Sequence, residues 1–69
     1  MRRNWYLLYS TLSLPQASII KGMLEENGVP VMIVNKQSSS YISLGDIEVY
    51  VPDDLKNTAR QLLDQGISN

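Results

Sequence analysis

Ser13-Leu14-Pro15-Gln16-Ala17-Ser18-Ile19-Ile20-Lys21-Gly22-Met23-Leu24-Glu25-Glu26-Asn27-Gly28-Val29-Pro30 reads as one helix with both ends encoded, running directly into a strand. Ser13 and Gln16 form a capping box, in which the Ser13 hydroxyl takes the Gln16 amide and the Gln16 side chain returns to the Ser13 amide. Pro15 fits the first turn, where its missing donor has no intrahelical partner. Ala17, Ile19, Ile20, Met23 and Leu24 share one arc, with Ser18, Lys21, Glu25 and Glu26 opposite. Asn27-Gly28 ends the helix, Gly28 being suited to a left-handed cap. Gly22 falls on the polar side, where glycine costs about 1 kcal/mol relative to alanine. It is either a tolerated surface glycine or a point of close approach by a loop or neighbouring chain.

On either side of this helix the pattern changes to strands. Asn4–Ser10 is rich in aromatic and apolar residues on both alternating faces, as in a strand covered on both sides. Val29–Asn35 is a continuous apolar run of strand length, with Pro30 restricted to its start or to an edge. In Ile47–Val51, Ile47, Val49 and Val51 alternate with Glu48 and Tyr50, the pattern of one buried and one more open face. A second helix, Asp54–Gln65, follows with Asp53 as its N-cap. Its stripe is Leu55, Ala59, Leu62 and Leu63, and Gly66 closes it.

The order is therefore β-α-β-β-α, with the first helix spanning about 14–27. It predicts an α+β fold, a ferredoxin-like two-layer sandwich truncated by its last strand. Right-handed crossovers give an antiparallel sheet ordered 1-3-2 with both helices on one face. The whole chain, 1–69, reads as a single domain with an ordered core of about 4–66 and a loop at 36–46.

A chain of 69 residues is small enough to bury only about 60% of its unfolded surface. Domains of this size usually need a staple. Cysteine and histidine are both absent, so disulfides and the common zinc sites are excluded, and association with another chain is the staple still open. Apolar residues on the helix-free sheet face point the same way. The sequence predicts a homo-oligomer, in the simplest case a dimer, formed through the open sheet face, the edge of the first strand, or both. Trp5, Tyr9 and Tyr50 are its candidate surface residues.

Six Lys or Arg against seven Asp or Glu leave no basic stripe, so a nucleic-acid partner is not expected. No stretch approaches the ~20 apolar residues of a membrane span. Arg2-Arg3 before an apolar run resembles an export signal superficially. The run is broken by Ser10, Thr11 and Ser13, with no small-residue cleavage site after it, and a cytoplasmic protein is expected.

Catalytic chemistry is thinly supplied. Without His or Cys, base and nucleophile roles would fall to carboxylates, lysines or tyrosines. Asp53 and Asp54 are explained by a helix start, and Glu25 and Glu26 by a solvated face. No catalytic residue, metal ligand or cofactor is assigned, and no enzyme is expected. The segment Lys36–Asp46 is longer than neighbouring antiparallel strands need. Lys36, Ser38, Ser39, Ser40 and Tyr41 are its candidate ligand or partner residues, able to hold a small anion through hydroxyls, amides and one charge. The alternative is a serine-rich hairpin loop whose apolar residues tuck back on the sheet.

The run from Ala17 to Pro30 resembles the helix-to-strand signature of the small "putative prokaryotic signal-transducing protein" domains. Val49-Tyr50-Val51-Pro52-Asp53-Asp54, followed by Ala59-Arg60-Gln61-Leu62-Leu63, is similar to that family's second signature. The resemblance spans Trp5 to about Gln65 and rests mostly on caps, turns and core stripes. It implies a core like that of the nitrogen-regulatory PII proteins, whose ferredoxin-like units associate and bind effectors near the loop between strands two and three. By that analogy Lys36–Asp46 occupies a regulatory loop. The function expected is a non-enzymatic signal-transducing or regulatory domain that contacts a protein partner or senses a small ligand. The alternative is a structural module that only self-associates.

Overall fold

The computed structural model describes residues 4–36 and 47–67. Strand β1 (Trp5–Thr11), helix α1 (Leu14–Glu26), strand β2 (Met32–Asn35), strand β3 (Ile47–Pro52) and helix α2 (Lys56–Ile67) follow in that order. The sheet is antiparallel with order β1-β3-β2. Among the described residues this is the expected ferredoxin-like arrangement of three strands and two helices, and β3 is central, as the order predicts.

Helix α1 is capped at both ends by its own sequence. Ser13 Oγ accepts the Gln16 amide at 3.2 Å, satisfying one of the first-turn donors. The reciprocal half of the capping box is replaced, because the Ser13 amide donates to Thr11 Oγ1 at 3.0 Å. At the other end Gly28 takes φ +83°. Its N–H bonds Glu25 O at 3.1 Å, and the Val29 N–H bonds Leu24 O at 3.0 Å, the paired bonds of a Schellman motif. Leu24 and Val29, which flank that turn, both enter the core. The cap therefore fixes the angle at which the chain leaves the helix for β2.

The core lies between the helices and one sheet face. Ala17, Ile20 and Leu24 of α1, Ile47, Val49 and Val51 of β3, Ala59 of α2 and Val29 are all buried. Tyr6, Leu8, Tyr9, Ile33, Leu62 and Leu63 pack around them. Ile19 departs from the predicted arc and stands 66% exposed, because the buried stripe of α1 is the narrower 17-20-24 row. Gly22 has open space where a side chain would begin, with no described residue close to it. Gly66 does not end α2. It sits in the last turn, where a Cβ would come 3.2 Å from Met23 Cε of α1, so it allows close packing of the two helices.

Three local features differ from the pattern read in the sequence. Before α2 the chain makes a 3₁₀ turn, Asp53–Leu55. There the Asp53 carboxylate pairs with Lys56 Nζ at 3.4 Å and its N–H donates to Asn4 O at 2.8 Å. Strand β2 starts at Met32 rather than Val29, and its register explains this. The Asp53–Asn4 bond makes that pair a hydrogen-bonded one, and by alternation the backbone groups of Tyr50 and Pro52 then face β2. Continuing the pairing Met32↔Tyr50 by two residues sets Pro30 opposite Pro52. Neither has an N–H, so the ladder stops.

The third is a β-bulge in β1. The register runs Leu7↔Tyr50 and then Tyr9↔Val49, so Leu8 is an extra residue. The alternation of side chains is thereby shifted by one.

Candidate functional site: the open sheet face

Because Ile47, Val49 and Val51 face the helices, Glu48 and Tyr50 face the other way. Register then places Trp5, Leu7 and Ser10 of β1 and Met32 and Val34 of β2 on the same face. The described helices both cover the opposite side. Trp5 is 39%, Leu7 44% and Met32 37% exposed, apolar groups of β1 and β2 that stand on either side of Tyr50 of β3. Single exposed apolar residues are ordinary on a protein surface, whereas these three share one side of the sheet.

At one end of this face lies a small polar cluster. Tyr50 Oη donates to Glu48 Oε1 at 2.9 Å, and Lys36 Nζ reaches the same oxygen at 3.2 Å. The tyrosine hydrogen bond and then the lysine hold the Glu48 carboxyl below the usual carboxylate range, because both favour the ionised form. That carboxylate in turn pushes the Tyr50 phenol up. The cluster ties β2 to the central strand just where the two part.

A pH dependence follows from these directions. A depressed Glu48 contributes stability that is fully present above its ordinary value near 4.5 and is lost as pH falls through the lowered one. A raised Tyr50 contributes stability below 10.0 that is lost as pH rises through its higher value. Urea midpoints of the native chain are expected to fall between about pH 7 and about pH 3, and to fall less in Glu48→Gln. Equal losses in both proteins would show that this cluster is not part of the acid response.

The candidate residues read from the sequence separate in space. Trp5 and Tyr50 share the open face. Tyr9 instead lies on the helix-bearing side and packs against the core, because the bulge reverses the alternation after Leu7. Lys36 has Glu48 as its partner. Ser38, Ser39, Ser40 and Tyr41 lie outside the described residues. Leu7 and Met32 are members of the face that residue type did not single out. Their shared side follows only once the register is known.

The described residues form an α+β sheet backed by helices on one side. The chain matches the model of the family described as "Putative prokaryotic signal transducing protein" over residues 5–67, and it belongs to that family. No curated protein and no solved structure matches the chain. Among the described residues, no helix is long and apolar enough to cross a membrane.

Proposed function

We propose that this protein is a cytoplasmic, non-enzymatic regulatory domain that transmits a signal by docking another protein on its open sheet face. The observation that carries this reading is the set of apolar side chains of Trp5, Leu7 and Met32, exposed opposite the helices. The family's description as signal transducing supports it. The absence of histidine and cysteine from the sequence, which leaves few groups for acid–base or nucleophilic work, supports it further. Protein contact is favoured over capture of a small anion because Lys36 is already paired with Glu48.

Site-specific photocrosslinking in bacterial cells tests this. A crosslinking residue at Met32 is expected to give an adduct with a second kind of protein, whereas one at Lys21, on the exposed side of α1, gives none. Equal yields from both positions, or adducts only with copies of the chain itself, would overturn the reading.

A further inference from the structure

The open face has a boundary that can be read in backbone terms. Among the described residues, strand β1 borders only β3, along one of its two sides. Its pairs with β3 alternate between those that exchange hydrogen bonds and those that do not. Asn4–Asp53 is bonded, so Tyr6–Val51 is bonded and Trp5–Pro52 and Leu7–Tyr50 are not. Past the bulge, Tyr9–Val49 and Thr11–Ile47 are bonded and Ser10–Glu48 is not. The N–H and C=O groups of Trp5, Leu7 and Ser10 therefore point outward, away from β3.

Those three residues are evenly stepped once the extra Leu8 is allowed for, and their side chains all lie on the open face. Trp5–Thr11 carries no charge, no proline and no glycine. Among the described residues, the one device that usually blunts an edge and is present in β1 is its bulge. The surplus residue of that bulge packs toward the core, leaving the outer row intact.

We infer that β1 pairs with β1 of a second copy of this chain, antiparallel about a two-fold axis through Leu7. Leu7 then faces Leu7 of the other copy, and Trp5 of each chain faces Ser10 of the other. All three outward residues exchange bonds in this register. An uncharged strand meets itself without like-charge opposition, and cross-strand apolar pairs add to the ladder. The two three-stranded sheets become one of six strands, and Trp5 and Leu7 of both copies form a single apolar stripe across the joint. This goes beyond the contact proposed above, because the joint uses the edge and leaves Met32 and the centre of each face free.

Sedimentation equilibrium of the full chain tests the inference. The native chain is expected to be a dimer at tens of micromolar, roughly the range of a modest interface. Leu7→Lys sets like charges opposite each other at the axis and is expected to give a folded monomer at the same concentration. Met32→Lys, on the far strand of the same face, should remain dimeric. Amide hydrogen exchange supplies a measurement independent of any variant. The Trp5, Leu7 and Ser10 amides should be protected at high concentration and lose that protection on dilution. A native chain that stays monomeric, or an undiminished dimer in folded Leu7→Lys, overturns the inference, as does protection that ignores dilution. A monomer leaves the crosslinking result at Met32 to stand or fall alone.

Discussion

Leu24→Ala is expected to lower the stability of this domain by about 2–5 kcal/mol, the range for emptying a packed leucine site. Leu24 is fully buried and shares the core with Ile20 and Val29, so little can collapse into the space. Domains of this length have only about 0.05–0.15 kcal/mol of stability per residue, so the loss is a large share of the whole. Urea denaturation followed by circular dichroism measures it directly. The Schellman bonds use the Leu24 carbonyl and survive the substitution, which confines the change to side-chain packing. A loss below about 1 kcal/mol would mean that the 17-20-24 row of α1 is not the core stripe.

Val49→Asp is expected to leave the chain unfolded near neutral pH. Val49 is fully buried at the middle of the central strand, flanked by Tyr9 and Ile33 in the register. An unpaired carboxylate there costs more than a small domain holds in reserve. Its pKa would be raised by desolvation. The charge part of the penalty is therefore absent below the ordinary carboxylate range and grows as pH rises through it, on top of the cost of burying a neutral carboxyl. Far-UV circular dichroism at neutral pH is the measurement, and a native spectrum with cooperative melting would contradict the assigned register. Glu48, one residue away on the open side, is a carboxylate the fold accepts. The contrast between adjacent positions is the sheet's two-residue period expressed as stability.

Much of this architecture is legible in the chain because its signals are local. Ser13, Gly28 and the row from Ala17 to Leu24 specify α1 with little help from elsewhere, and Ile47-Val49-Val51 against Glu48-Tyr50 shows which side of β3 is buried. The element order then fixes the sheet order. Features that depend on two strands at once were not legible. The bulge at Leu8 has no signature in Trp5–Thr11, since every residue there suits either face. It appears only when the strand is laid against β3, and it alone moves Tyr9 off the surface predicted for it. The late start of β2 is a similar case. Pro30 alone permits a strand to begin near it, and only the register brings it opposite Pro52. The exposure of Ile19 reflects packing between layers, which a helical arc by itself overstates. At the candidate site, residue types pointed to Trp5 and Tyr50, while Leu7 and Met32 became visible only as neighbours in the register.

The facing positions of Pro30 and Pro52 also bear on how the β2–β3 pair can misassemble. A one-residue slip between the strands would turn Ile33 away from the core and is opposed by burial. A two-residue slip preserves the faces, so burial alone would tolerate it. Sliding one way sets Met32 against Pro52, and sliding the other way sets Pro30 against Tyr50. Each forfeits a hydrogen bond that the native pairing makes. The two prolines thus act as stops on either side of the correct alignment, making the native register the one in which every bonded pair has its donor.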